Sequence, residues 1–383
     1  MKISNLFLIT SCLILMSGCN NINQNLDFST QETKTEEVRN ESSKITEEKV
    51  FDKNGNISSI KKLQNGNEIE RIDYKYYDSG KVDTKSVFKN NQLVSENLFY
   101  EDGSLFSEKT YSNGLINGIN NVYYLNGNIL IAIPYVNGKK QGIGKGFTQS
   151  GQLSNEYKYS NDEIIQNIEY EYYDSGELHY KRPIKNEKVN GLVTSYYKSG
   201  KIMGTANIVN GILEGEFIQY YENGNLKKIN YYINGKINGL EKAYFENGRL
   251  NWEVNIVNDK QDGIYKDYYL SGQLNHLAFL RNDQLEGKSY IYYENGNVKM
   301  EDNYINGKKI GMSKQFFETG ELSWEFYYKN GERTKAIQYF KGGKVGAEVE
   351  YKNGKAFSGY IYDYNGTKTK MTNAHFNNLG LEY

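Results

Sequence analysis

Residues 220–239 read YYENGNLKKINYYINGKING: an aromatic pair closed by Asn223-Gly224 and, eleven residues on, a second turn at Asn234-Gly235. Asn-Gly, Ser-Gly and Asp-Gly accept positive φ at low cost and mark hairpins when alternating apolar residues flank them. The glycine after each aromatic pair falls at Gly200, Gly224, Gly248, Gly272 and Gly296, an unbroken spacing of 24. The register extends to Gly55, Gly80, Gly103, Gly127, Gly151 and Gly176 upstream and to Gly320, Gly343 and Gly366 downstream, fourteen marks spaced 23 to 25 apart. A fixed period of this size predicts a repeat array in which one supersecondary unit stacks on the next.

Two turn classes alternate. The first recurs as Ser79-Gly80, Asp102-Gly103, Asn126-Gly127, Ser199-Gly200, Asn247-Gly248 and Asn295-Gly296. The second recurs as Asn65-Gly66, Asn113-Gly114, Asn137-Gly138, Asn210-Gly211, Asn306-Gly307 and Asn330-Gly331; Asn258-Asp259 and Asn282-Asp283 replace its glycine with another residue that tolerates the left-handed region. Each repeat is therefore two short antiparallel strands. After Gly248 the alternate residues Leu250, Trp252, Val254 and Ile256 are apolar, as are Leu322, Trp324, Phe326 and Tyr328 after Gly320. A period of two assigns each set to one packed face and leaves Asn251, Glu253 and Asn255, or Ser323, Glu325 and Tyr327, to solvent. The predicted fold is all-β: hairpins of about 24 residues forming a long twisted meander or β-solenoid, apolar side inward. Thirty-six Tyr and thirty-eight Gly against two Pro suit strands and glycine turns rather than helices.

The formal net charge is -1, from 46 basic and 47 acidic residues mixed throughout. No basic stripe exists, which argues against a nucleic-acid partner. At the N-terminus, Lys2, the apolar run Leu6–Met16 and then Met16-Ser17-Gly18-Cys19 resemble a bacterial lipoprotein signal. The resemblance implies cleavage after residue 18 and acylation of Cys19, anchoring an exported chain to the cell membrane or, with Asn20 next, the outer membrane. The other cysteine, Cys12, leaves with the signal, so no disulfide can form within the mature chain. Residues 19–50 are polar and charged and read as the lipidated cysteine plus a disordered tether; residues 51–383 are the array, about fourteen repeats.

The pattern Tyr-Tyr-x-Asn/Ser-Gly-x-Leu, then Tyr-x-Asn-Gly-Lys and a further glycine, as in Tyr220 to Gly239, resembles the MORN-repeat variant family, whose bacterial members are often catalogued as YwqK-type antitoxins of toxin–antitoxin systems. The resemblance covers about residues 51–383 and departs most at Ile184 to Asn190, near Pro183, and after Gly366, where a kink and a terminal cap are expected. It implies a scaffold for protein or membrane-lipid contacts, or an antitoxin that neutralises a protein toxin.

An active site is not expected. His179, His276 and His375 occupy different repeats, and no HExxH, GxSxG or phosphate loop appears. No cofactor or metal is implied: Asp78, Asp174, Glu222, Glu246, Glu294 and Glu318 recur two places before the turn glycine, but one carboxylate per turn reads as solvated. Trp252, Trp324, Tyr180 and His276 share the fourth position after the glycine and form the candidate binding surface, a platform for a glycan ring or a partner's side chain; the simpler reading of that apolar face is core. The expected function is a non-catalytic envelope lipoprotein whose repeat surface binds a protein, with toxin neutralisation and glycan or peptidoglycan binding as alternatives.

Overall fold

A computed structural model describes residues 33–36 and 45–381; Cys19, the signal-like segment and most of the expected tether lie outside them. Two compact units divide the chain, one holding residues through 142 with 147–151, the other residues 143–146 with those from 152 onward. Each is a meander of antiparallel hairpins, as in the run Leu226–Ile233, Gly239–Tyr244, Leu250–Val257, Lys260–Tyr268 of the second unit.

Paired structure begins earlier than the sequence suggests. Ile45–Phe51 is a strand, and Thr33–Glu36 pairs with it, so part of the stretch read as tether lies in the meander. The polar run Thr46–Lys49 hides this strand, because its charges are answered across the ladder: Glu47 faces Lys62 and Glu48 faces Lys61.

The second turn class is the two-residue type I′ turn: Asn65 and Gly66 have φ of 52° and 83°, and Gln64 pairs with Asn67. Asn90-Asn91, Asn161-Asp162, Asn186-Glu187 and Asn353-Gly354 take the same conformation and complete the series. The first class differs. At Asn223-Gly224 only the glycine has positive φ; the Gly224 N–H donates to the Tyr221 carbonyl at 2.9 Å and the Tyr221 N–H to the Asn225 carbonyl at 2.8 Å, a three-residue loop.

A one-residue bulge follows the Gly248 and Gly320 loops and corrects the face assignment. Leu250 pairs with Tyr244, whereas Trp252 pairs with Ala243, leaving Asn251 extra. Tyr244 and Ala243 are neighbours on one strand and point to opposite faces, so Leu250 lies on the other face from Trp252, Val254 and Ile256. Leu322 and Trp324 are separated in the same way. Ser323, expected in solvent, is 5 % exposed, and its hydroxyl donates to the Gln315 carbonyl at 2.9 Å.

A third set of glycines sets the period. Gly239 (φ 103°) and its counterparts break the ladder in the second half of their repeats; at Gly239, Asn230 and Tyr231 face four residues, 238–241, between the pairs Tyr232–Ile237 and Ile229–Lys242. At Gly263 (φ 132°) a Cβ would meet Asn255 Nδ2 at 2.7 Å. Repeats with this glycine have the 24-residue spacing; where a single extra residue such as Thr334 replaces the wide bulge the spacing is 23, and it is 25 where the strand runs two residues longer, as Glu163–Tyr172 does.

Pro183 produces no break. Leu178–Lys185 runs through it at the eight-residue length of its counterparts, and the Pro183 carbonyl accepts from Asn190 N–H at 2.9 Å. The expected terminal cap is present: helix Asn373–Asn378 and its flanks bring Met371, Phe376, Leu379 and Leu381 onto the buried cluster of Ala336, Ala347, Val349, Tyr351 and Ala356. The preceding strand, Lys368–Lys370, is three exposed residues, two of them lysine, which discourages edge pairing with another chain.

Candidate binding ladder

Cross-strand pairing joins the four residues singled out from the sequence into one row of the second unit. Tyr180 pairs with Ser195, Ser195 with Gly204, Gly204 with Gln219 and Gln219 with Lys228. Lys228 pairs with Ala243, Ala243 with Trp252, Trp252 with Asp267 and Asp267 with His276. His276 pairs with Ile291, Ile291 with Met300, Met300 with Gln315 and Gln315 with Trp324. Adjacent rungs stand about 4.8 Å apart. Most of the row's side chains, the two indoles included, are half-buried.

Behind this row lies a deeper one. Val254 is fully buried and forms a cluster with Ile256 and Leu280 on which Trp252 packs. Trp324 stacks on Phe326 with ring centroids 5.4 Å apart and planes 8° from parallel. Polar groups interrupt the apolar run: Lys228 forms an ion pair with the buried Glu241 while lying over the Trp252 ring at 5.7 Å, and Lys309 meets Asp302 at 2.8 Å. Tyr180 packs differently, its ring 3.9 Å from that of His179 and under the Arg182 guanidinium at 5.5 Å.

His276 sits in a polar trio invisible without the register. Its Nε2 is 2.8 Å from Ser289 Oγ and its Nδ1 3.8 Å from Asp267 Oδ2, while Asp267 also accepts from Asn275 Nδ2 at 2.7 Å and Tyr265 Oη at 2.9 Å. Serine, imidazole and carboxylate stand in the order of a nucleophilic relay. Ser289, however, is only 4 % exposed, so its hydroxyl has no open approach and the trio packs the face. Burial lowers the His276 pKa, against the opposing pull of Asp267 and Asp302. A folded-state pKa below the unfolded value means that the unfolded chain binds the proton first on acidification. Stability from neutral His276 is therefore complete above the ordinary histidine range and lost as pH falls through it. The urea midpoint of the second unit should drop between about pH 7 and pH 5, and the drop should shrink in His276→Gln.

Two further series of contacts stitch successive repeats together. The second tyrosine of each aromatic pair donates to the carbonyl of the first aromatic residue one repeat on: Tyr197 to Tyr220 at 2.7 Å, Tyr221 to Tyr244 at 2.8 Å, Tyr269 to Tyr292 at 2.6 Å and Tyr293 to Phe316 at 2.8 Å. At Phe245 the series lacks a hydroxyl. Phe245→Tyr should add a bond to the Tyr268 carbonyl and raise unfolding free energy by about 0.5–1.5 kcal/mol, checked by urea unfolding against Tyr221→Phe, which should lose a similar amount. Near the same turns, Asn223 and Asn225 both donate to the Glu246 carbonyl at 2.9 Å, and Asn295 and Asn297 to that of Glu318 at 3.0 and 2.9 Å. Glu246 and Glu318 thus serve through their main chain while their side chains face solvent. Among the described residues no group of three or more His, Cys, Asp or Glu is placed to hold a metal ion.

An invariant hairpin frame carrying a continuous row of varied side chains defines a repeat-based binding scaffold. The MORN repeat variant family model matches the chain at residues 189–210, 213–234 and 285–306, all in the second unit, each match ending on the asparagine of a type I′ turn. No curated protein matches the chain. Among solved structures, a porin-like protein from Bacteroides uniformis is similar at 9 % identity over 89 % of this chain and 96 % of its own, with a TM-score of 0.10, too low for any argument from its fold.

Proposed function

We propose that this chain is a non-catalytic, lipid-anchored envelope protein whose second unit binds another protein along the ladder through Lys228, Trp252, Asp267, His276, Met300 and Gln315. The observation that supports this reading is the contrast between frame and decoration. Turns, bulges and hydrogen-bond rungs repeat from hairpin to hairpin, while the row changes from ammonium to methyl, indole, carboxylate, imidazole, aliphatic, thioether and amide. A regular spacing of unlike groups suits recognition of one irregular surface, such as a folded protein, better than of a uniform polymer. Attachment to the cell membrane or outer membrane rests on Met16-Ser17-Gly18-Cys19.

Two measurements test the reading. Metabolic fatty-acid labelling with fractionation should show label on membrane-bound protein that disappears in Cys19→Ser; soluble, unlabelled cytosolic protein in both forms would remove the envelope placement and favour neutralisation of a cytosolic toxin. A photo-crosslinking residue at position 300, in cells, should yield one discrete protein adduct that the same residue at exposed Leu270, off the ladder, does not. Equal adducts at both positions, or none, would overturn the ladder as the binding surface.

A further inference from the structure

The first unit carries a different feature. Tyr74, Val82 and Phe99, with Lys81 and Lys85, line an open groove of about 490 Å³ whose rim is made by the turn glycines Gly80 and Gly103. Tyr74 pairs with Lys85, and Val82 with Tyr76 two residues along the same strand, so Tyr74, Val82 and Lys85 share one face. A Cβ placed at either turn glycine would meet nothing within 4 Å, so neither glycine is crowded by a neighbour. The volume falls within the ordinary range of small-ligand sites.

The charge in this groove reverses the pattern of the array. Lys85 stands fifth after its turn glycine, where Glu108, Glu156, Glu253, Glu301, Glu325 and Glu348 stand in other repeats. Lys181, the other basic residue at that position, lies 5.9 Å from the Tyr170 ring centroid. Two carboxylates that feel the groove lysines are engaged elsewhere: Glu70, which feels Lys85, is bonded to Lys62 at 2.8 Å, and Asp102, which feels Lys81, accepts from the Ser104 N–H and hydroxyl. Two ammonium groups thus flank aromatic and aliphatic walls, with no acidic residue in the lining.

We propose that this groove binds an anionic saccharide residue. The apolar C–H face of a sugar ring packs on aromatic and aliphatic walls such as Tyr74, Phe99 and Val82, while a carboxylate or phosphate on that ring takes charge-assisted hydrogen bonds from Lys81 and Lys85. A groove open to solvent admits one residue of a longer chain, which a closed cavity would not. This site is separate in the sequence from the ladder assigned above to a protein partner, and neither reading depends on the other.

Calorimetric titration of the mature chain tests the inference with three probes: tetragalacturonate, a glycerol-phosphate oligomer and neutral maltotetraose. Binding of either or both anions with no detectable binding of maltotetraose is the expected result, and which anion binds tells a uronate from a phosphate source. Lys81→Ala and Lys85→Ala should each weaken binding by roughly tenfold or more, the scale of a charge-assisted hydrogen bond, with an unchanged circular dichroism spectrum. Lys85→Arg should retain most of the affinity. Equal binding of all three probes, binding of no anion, or full affinity in Lys81→Ala and Lys85→Ala would overturn it.

Discussion

Replacing Trp324 with alanine should lower the unfolding free energy of the second unit by about 3–5 kcal/mol, the range for truncating a large packed aromatic side chain. The indole lies against Phe326 and on the cluster built from Ala336, Ala347, Val349 and the capping residues Met371 and Phe376. Its cross-strand neighbours, Gln315 and Gln338, are polar and cannot refill an apolar gap without losing their own solvation. Because a repeat interacts mainly with its neighbours, the loss should stay local. Hydrogen exchange should accelerate over Gly311–Phe316, Leu322–Lys329, Glu332–Tyr339 and the terminal helix, and far less over Leu226–Ile233. Trp324→Phe, which keeps an aromatic ring against Phe326, should recover more than half of the difference. An unchanged urea midpoint in Trp324→Ala would mean that the indole is a ligand platform and contributes nothing to the core.

The sequence discloses the turns most completely, since the left-handed conformation is a local demand that Asn and Gly meet almost alone. Asn234-Gly235 and Asp259 mark their turns because φ values of 51°, 78° and 68° are costly for most other residues. Asn186-Glu187 is hidden for the same reason: Glu187 adopts φ 62° without being a residue that signals it. Face assignment was legible only between irregularities. Trp252, Val254 and Ile256 alternate as expected, but the bulge at Asn251 moves Leu250 across the sheet, and nothing in an asparagine or a serine at that position announces a bulge. The row through Trp252 and His276 was half visible, as a shared position in the repeat. Its other half, Lys228 with Ala243 or Asp267 with His276, required the register between strands, which is a property of pairs and not of either strand alone. Buried polar residues were the least legible, since Asp302 and Glu241 carry charge, which normally means solvent, yet lie buried.

Lys309→Met should destabilise the second unit by about 3–5 kcal/mol, because it strips the counter-charge from a buried carboxylate and leaves it only the Tyr304 hydroxyl at 3.4 Å. The Asp302 side chain is 4 % exposed, and its Oδ2 meets Lys309 Nζ at 2.8 Å. Its other oxygen finds no hydrogen-bond partner among the described residues. Burial disfavours the Lys309 ammonium, but the hydrogen bond and charge of Asp302 outweigh that and hold its pKa above the ordinary lysine value. A basic group with a raised folded-state pKa contributes stability at every pH below the unfolded lysine range and loses it only as pH rises through the folded value, so the pair is intact at neutrality. Asp302 stands sixth after its turn glycine, where Val254, Ala278 and Val349 stand in other repeats. Valine at 302 therefore suits the frame, and Lys309→Met with Asp302→Val should return to wild-type stability or exceed it, giving a coupling energy of at least about 2 kcal/mol in a double-mutant cycle. A single variant as stable as the parent at neutral pH, or a double variant no better than the single, would show that solvent reaches Asp302 and that this face of the meander is open rather than packed.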